Sequence, residues 1–203
     1  MKALLLLLAM GADTARVTFT YAREGMPVPQ YELSVSEDGS GRYVAQVAPR
    51  GGVGERQEVD REIEVPTVRA EAIMAAARGL NRFEMVCASK AKVASTGAKS
   101  MTYAGADGKG SCAYDYTENK QLVQLTNVFL GLAMTLDLGR KLEVDHRFDR
   151  LGLDADMETL VKELKDGSAL EPGMIAPVLR SIAEDAQVIQ RVRVRAAELA
   201  ALP

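Results

Sequence analysis

The chain has 203 residues, enough for one domain with a sizeable hydrophobic core. Its 25 basic and 28 acidic residues give a net charge of −3, which argues against a general nucleic-acid binder and against a protein held on anionic membranes by charge. Tryptophan is absent and aromatic residues make up only 5% of the chain, so no stacking platform for bases or sugars is prominent.

The first fifteen residues have the order of a secretory signal peptide. Lys2 is followed by an apolar run over residues 3–10, which includes five consecutive leucines, and small residues come next. The sequence therefore predicts a leader over residues 1–15, cleaved after one of three small residues: Gly11, Ala12 or Ala15. A buried N-terminal strand or helical turn is the alternative. The run is shorter than the roughly 20 apolar residues that span a bilayer, so we do not expect an integral membrane protein.

Residues 16–203 are predicted to form a single domain, with mainly strands over 16–117. Alternating apolar and polar residues predict four strands, the last with the imperfect pattern of an edge strand: 16–23, 31–36, 42–48 and 58–65. Asp38 and Gly39 predict a hairpin turn between the second strand and the third, because glycine adopts positive φ at little cost.

One helix and a second hairpin complete the predicted β part of the chain. Alanine-rich residues 68–78 predict the helix, with Thr67 as its N-cap and Gly79 at its end. The hairpin is predicted over 99–104 and 111–117, with the GADGKG segment as its turn. The stretch between the helix and this hairpin is expected to be a loop.

From residue 118 the apolar spacing changes from two residues to nearly four, so 118–203 is predicted to be helical. The expected elements are an apolar helix, a charged helix, a helix capped by Asp154 and a last helical region from Pro172: 122–136, 142–151, 154–167 and 172–199. The apolar helix is short and ends in charged residues, so we interpret it as a central buried helix. This order predicts an α+β fold, an antiparallel sheet of hairpins packed on one face by the C-terminal helices.

Cys87 and Cys112 are the only cysteines, and export would bring both into an oxidising compartment. They are therefore predicted to form a disulfide, and the protein is predicted to be periplasmic or secreted. Two buried free thiols, or a redox or metal-binding pair, are the alternatives. The redox or metal pair is disfavoured because the spacing is not C-x-x-C and no histidine lies between the cysteines.

The chain has one histidine, His146, and Asp149 follows it three residues later. On a helix these side chains would share a face, where a carboxylate could orient the imidazole for general-base chemistry. The alternative, which we favour, is a solvated, charged helix face. No metal or other cofactor is predicted, since Asp154 and Asp156 lack the further ligands of an EF-hand.

Two surface features are candidates for binding. Three tyrosines of the second hairpin could line a groove, with cross-strand packing as the alternative: Tyr103, Tyr114 and Tyr116. Pro27 and Pro29 brace the loop between the first two strands, which could present a rigid edge to a partner. A turn that only blunts the edge of the sheet is the alternative for this loop.

Two segments resemble known sequences. MPVPQYELSVSEDGSGRY, over residues 26–43, resembles the opening of exported bacterial domains of unknown function. FEMVCASKAKVASTGAKSMTYAGADGKGSCAYDY, over residues 83–116, is similar to a cysteine-bearing portion of uncharacterised secreted bacterial proteins. The shared motifs are turns, strands and cysteines, so the resemblance implies an exported domain and no particular activity.

These observations favour an exported, non-enzymatic globular domain that binds a protein or a cell-envelope component. A hydrolase-type enzyme that uses His146 with a nearby carboxylate is one alternative. A small-ligand carrier is the other, with its pocket between the sheet and the apolar helix over 122–136.

Overall fold

The computed structural model describes three stretches of the chain: residues 14–49, 54–91 and 93–202. Most of the predicted leader, with the cleavage positions after Gly11 and Ala12, lies outside these residues. Ala15 lies inside them. It is buried, and its carbonyl accepts a hydrogen bond from the backbone N–H of Glu37 at 2.8 Å. Ala15 therefore packs as part of the folded core.

The six strands of the described residues form one antiparallel sheet. In chain order they are β1 (Arg16–Ala22), β2 (Gln30–Ser36), β3 (Ser40–Val47), β4 (Gln57–Glu64), β5 (Ala98–Gly105) and β6 (Gly108–Tyr114). Their order across the sheet is β4-β3-β2-β1-β5-β6. All six predicted strands are present, and β4 is an edge strand as predicted.

Side chains alternate along the strands, as the sequence pattern predicts. In β1, Val17, Phe19 and Tyr21 are buried, whereas Arg16 and Ala22 are exposed. The buried side chains of the strands belong to the same hydrophobic core as those of the helices. The predicted α+β fold, with helices packed on one face of an antiparallel sheet, is confirmed.

The second hairpin is tighter than the GADGKG segment predicts. Gly105 pairs directly with Gly108, so only Ala106 and Asp107 form the loop. Gly108 has a φ of 142°, a conformation that side chains rarely permit. Both strands of this hairpin therefore continue closer to the turn than the sequence predicts.

The described residues contain five α-helices and two short 3₁₀ turns. The helices are α1 (Thr67–Gly79), α2 (Lys120–Phe148), α3 (Leu153–Lys165), α4 (Ala176–Glu184) and α5 (Gln190–Ala200). The 3₁₀ turns span Asn81–Phe83 and Pro172–Ile175.

Helix α2 is continuous where the sequence analysis predicts two helices. The break expected between residues 136 and 142 is wrong, because Gly139 stays inside the helix. A Cβ on Gly139 would overlap the side chain of Ile175. The glycine therefore allows close packing and does not end the helix.

The last helical region is divided into α4 and α5, where one continuous region is predicted. Helix α4 ends at Glu184, and Asp185 follows it in an extended conformation. The Oδ1 atom of Asp185 accepts the backbone N–H of Gln187 at 2.8 Å. Such local side chain–backbone bonds compete with continuation of a helix, and this competition explains the break.

Two predicted N-caps are wrong. Thr67 is already helical in α1, because Pro66 occupies the cap position. Asp154 lies in the first turn of α3, after Gly152, and its carboxylate pairs with Arg191 of α5. A carboxylate in the first turn still interacts favourably with the helix dipole.

Helix α2 crosses the sheet from one edge to the other. Four side-chain pairs mark its path over β6, β1, β3 and β4 in turn: Thr126 with Tyr114, Phe129 with Phe19, Asp137 with Tyr43, and Glu143 with Arg61. By length and composition alone, α2 is the one helix of the described residues that could cross a membrane. However, 56% of its most apolar window is buried inside the protein, as in the central helix that the sequence predicts.

The side of α2 that carries Gly131 and Gly139 is held closely by the segment before α4. The Thr135 hydroxyl donates to the carbonyl of Leu170 at 2.5 Å and accepts the N–H of Leu170 at 2.9 Å. A Cβ on Gly131 would lie 2.7 Å from Cγ of Leu170. Glycines at these two positions let α2 approach its neighbours almost at backbone distance.

The predicted disulfide is present. Cys87 and Cys112 are bonded, with their Cα atoms 5.8 Å apart, and both residues are buried. The bond ties the long segment between α1 and β5 to the edge strand β6.

We predict that replacing both cysteines by serine lowers the free energy of unfolding by roughly 3 kcal/mol, because the bond closes a loop with a sequence separation of 25 residues. Urea denaturation of the wild type and of C87S/C112S measures this difference. A reducing agent should lower the midpoint of the wild type and leave the variant unchanged. Equal midpoints for the oxidised and reduced wild type would contradict the prediction.

We predict opposite effects for two helical glycine-to-alanine substitutions. Gly139→Ala forces a methyl group into Ile175 and should destabilise the protein by about 1–3 kcal/mol. Gly79→Ala is the matched control, because nothing lies within 4 Å of its Cβ position. This substitution should leave the free energy of unfolding unchanged or raise it by up to about 1 kcal/mol. Thermal unfolding of both variants checks the prediction, and a neutral Gly139→Ala would refute the proposed packing role.

Candidate functional site

An open cleft of about 680 Å³ lies between α2 and the loop that joins β1 to β2. Its apolar lining comes from both sides: Met26, Pro27 and Val28 of the loop, and Leu130, Ala133 and Met134 of α2. We call this cavity the α2 cleft. Its volume is within the range of roughly 300–1,000 Å³ that is typical of small-molecule sites.

The loop on one side of the α2 cleft is held at both ends by backbone hydrogen bonds. The N–H of Arg23 donates to the carbonyl of Pro29, and the N–H of Ala48 donates to the carbonyl of Pro27, each at 2.8 Å. Gly25 has a φ of 81°, which allows the turn between β1 and β2. Of the two prolines singled out in the sequence, Pro27 lines the cleft and Pro29 is buried.

Helix α2 forms the opposite wall through side chains three and four residues apart. Leu130, Ala133, Met134 and Asp137 share one helix face by this spacing. Met134 is 40% exposed in a helix whose other apolar side chains are mostly buried. The same face therefore brings apolar side chains and a carboxylate to the cleft.

Asp137 is the acidic residue in the lining of the α2 cleft, and its side chain is 25% exposed. The hydroxyl of Tyr43 donates to its Oδ1 atom at 3.2 Å. Burial raises the pKa of Asp137 from 3.8 to about 6, against the opposing effects of Arg140 and Tyr43. This carboxyl group can therefore gain or lose a proton near neutral pH.

Arg140 lies one turn further along α2 and also lines the cleft. Its Nε atom is 3.8 Å from Oδ1 of Asp137, too far for a hydrogen bond. The same Nε atom is buried and has no hydrogen-bond partner in the part of the chain that the structure describes. A buried donor without an acceptor is uncommon in native proteins and calls for an explanation.

Tyrosines of three neighbouring strands pack beside these charged groups. The ring centroids of Tyr21 and Tyr31 are 5.4 Å apart, and those of Tyr31 and Tyr43 are 5.7 Å apart. Burial raises the pKa of Tyr31 and of Tyr43, so both hydroxyls stay protonated and can donate hydrogen bonds. Tyr21 and Tyr31 line the cleft directly.

A larger groove, of about 780 Å³, lies beside β3, β4 and the start of α4. Its lining mixes charged residues of both signs, among them Arg42, Glu62, Glu64 and Arg180. Exposed charges are well solvated without a ligand, so this groove points to a binding function less strongly than the α2 cleft does.

The structure does not pair His146 with Asp149. Asp149 follows the last residue of α2, and its carboxylate accepts the N–H of Gly152 at 3.2 Å. His146 is instead bound to Asp185, with 2.9 Å between Nε2 and Oδ2, and Arg150 lies 3.5 Å from the same oxygen. The shared helix face predicted for His146 and Asp149 fails because the helix ends between them.

The three tyrosines of the second hairpin do not share a groove. Tyr103 is buried, donates to Asp107 at 2.5 Å and accepts from Arg78 at 3.1 Å. Tyr114 is buried and shares a hydrogen bond with Thr126 at 2.6 Å. Tyr116 lies beyond the end of β6 and is exposed. Tyr103 and Tyr114 are therefore packed in the hydrophobic core.

Sequence analysis missed the polar part of the α2 cleft, although it considered a pocket between the sheet and the apolar helix. Asp137 directly follows the run interpreted as buried, and Arg140 one turn later continues the same face. A carboxylate and a guanidinium that follow an apolar helical stripe on the same face were the sequence signal that could have indicated this site. Tyr31 and Tyr43 occupy in-phase positions of their strands, where core packing is the default interpretation.

In comparisons with known proteins, no family model matches this sequence, and no curated protein is similar to it. Within residues 14–49, 54–91 and 93–202, no group of three or more histidine, cysteine, aspartate or glutamate side chains could hold a metal ion. The α2 cleft is therefore interpreted from its own geometry.

We predict that Asp137→Asn stabilises the protein at alkaline pH and not at acidic pH. Because the folded state raises the pKa of Asp137 to about 6, its charged form destabilises the fold above pH 6, and this effect disappears as the pH falls toward 4. The free energy of unfolding of the variant should exceed that of the wild type by roughly 1–3 kcal/mol at pH 8 and should be almost equal to it at pH 4.

Denaturant unfolding at these two pH values measures the effect. Asp149→Asn is the control, because this carboxylate is exposed and an amide can still accept from Gly152. An equal change in stability at both pH values for Asp137→Asn would contradict the raised pKa.

Proposed function

We propose that this protein is an exported carrier that binds a small, largely apolar molecule in the α2 cleft. The observation that carries the proposal is an open apolar cavity of about 680 Å³ whose lining also contains Asp137, Arg140 and Tyr31. An apolar lining with a few polar groups is the usual composition of small-molecule sites, because the apolar part supplies affinity and the polar part fixes orientation.

The walls of the α2 cleft have the side chains expected of an adaptable binding surface. Met26 and Met134 lie on opposite walls, and each is 40% exposed. Methionine is flexible and polarisable, so it fits ligands of varied shape. Exposing two large apolar side chains beside one another is unfavourable in water, and a bound apolar molecule would remove this exposure.

A hydrolase that uses His146 has less support. The imidazole is bound to Asp185, and Arg150 contacts the same carboxylate. This arrangement explains His146 as a structural residue, because it links α2 to Asp185, the first residue after α4. His146 does not line the α2 cleft.

We place the carrier outside the cytoplasm, in the periplasm or the extracellular space. The Cys87–Cys112 disulfide supports this location, because such bonds persist in oxidising compartments. The predicted leader and the resemblance to exported bacterial domains agree with it. This proposal follows the small-ligand carrier considered in the sequence analysis, and not the binding of a protein or a cell-envelope component that the sequence favoured.

The test is binding of N-phenyl-1-naphthylamine, a neutral dye whose fluorescence rises in apolar surroundings. The wild-type protein should bind it saturably, with one molecule of dye per chain. Met134→Glu places a charge on the cleft wall and should weaken binding by about tenfold or more, because a buried methionine contributes roughly 1.5–3 kcal/mol.

Val123→Glu is the matched control for this experiment. Val123 is an apolar residue of the same helix with nearly the same exposure, 38%, and it does not line the cleft. This variant should bind the dye like the wild type. Non-saturable binding, or equal loss in both variants, would refute the proposed site.

A further inference from the structure

We propose that the α2 cleft selects amphiphilic molecules with a carboxylate head, which Arg140 binds, over neutral or cationic molecules with the same apolar chain. This inference rests on the proposed carrier function and specifies its ligand class. It follows from the juxtaposition of an open apolar cavity and an arginine in its lining, Arg140, whose Nε atom lies 3.8 Å from its paired carboxylate, beyond hydrogen-bond distance.

Arg140 lines the cleft and is only loosely paired within the protein. Its Nε atom is buried, but its side chain is 22% exposed, and this exposed part of the residue is what a ligand in the cleft would contact. The carboxylate in its ion pair, that of Asp137, is 3.8 Å away. A ligand carboxylate can accept two parallel N–H bonds from one guanidinium, which is the strongest hydrogen-bonded pairing available to arginine.

The charges that line the α2 cleft favour an anion. They comprise two cations, Arg140 and Lys141, and one acid, Asp137. Lys141 is paired with Asp156 of α3, so its charge is already partly balanced. A cationic head would approach both cations and could be balanced by Asp137 alone, whereas an anionic head can pair with the guanidinium group of Arg140.

Asp137 adapts to an anionic head by taking up a proton from solvent. The groups that face it are Tyr43 of β3, Tyr31 of β2, and Arg140 of the same helix, with Lys141 further along the cleft wall. A second negative charge beside Arg140 disfavours the ionised form of Asp137. Protonation leaves a neutral carboxyl group, which can donate a hydrogen bond to the bound carboxylate.

The experiment compares three ligands with the same twelve-carbon chain: dodecanoate, 1-dodecanol and dodecyltrimethylammonium, each below its micelle-forming concentration. Displacement of N-phenyl-1-naphthylamine gives their relative affinities, and isothermal titration calorimetry measures dodecanoate directly. Dodecanoate should bind about tenfold or more tightly than the alcohol or the ammonium ion.

Arg140→Gln should reduce the ratio of dodecanoate to dodecanol affinity to about one. Arg147→Gln, on the exposed end of the same helix, is the matched control and should keep the wild-type ratio. Calorimetry of dodecanoate at pH 7 in two buffers of different ionisation enthalpy should show uptake of up to one proton per ligand. Asp137→Asn should abolish this uptake.

Three outcomes would overturn the inference, and they are distinguishable. Equal affinity for dodecanoate and dodecanol refutes the carboxylate preference and leaves the carrier function intact. Tighter binding of the ammonium ion makes Asp137 the partner of the head group and also leaves the carrier function intact. If neither the dye nor dodecanoate binds by any measurement, the carrier function and the inference fail together.

Discussion

The packing of α2 across the sheet is the interaction on which the rest of the structure depends. An antiparallel sheet with one apolar face must bury that face, and α2 crosses it from β6 to β4 with side chains such as Phe129 and Leu132 fully buried. Helices α3 and α4 then pack against α2, and α5 packs against α3 and α4. The α2 cleft lies where this covering helix and the β1–β2 loop leave a space that neither fills.

The sheet was predictable because its signal is local. Most strands show alternation of apolar and polar residues within seven or eight residues, and two cysteines allow only one intramolecular disulfide. The continuity of α2 was not predictable, since Gly139 is explained by Ile175, which belongs to another element. The polar residues of the cleft could not be predicted from the sequence for the same reason. Asp137 and Tyr43 are 94 residues apart, and they meet only through the path of α2 over the sheet.

The α2 cleft contains polar groups whose burial is energetically unfavourable. Asp137 holds a partly buried carboxylate, and Arg140 has a buried N–H without an acceptor. Outside the cleft, Thr135 and Tyr114 are buried and hydrogen-bonded, whereas Oδ2 of Asp156 on α3 is buried without a partner among the described residues. Incomplete hydrogen bonding of buried polar groups is typical of functional sites, and in the cleft it accompanies an open cavity.

The two walls of the α2 cleft differ in how firmly they are held. On its other flank α2 is anchored by Gly131, Gly139 and the paired hydrogen bonds between Thr135 and Leu170, so the helix has little freedom to shift. The β1–β2 loop is held by two backbone hydrogen bonds and by the ion pair of Glu24 with Arg56, and its residues from Glu24 to Pro27 are exposed. In the proposed carrier, adjustment to ligands of different width would therefore fall to this exposed loop and not to the closely packed helix.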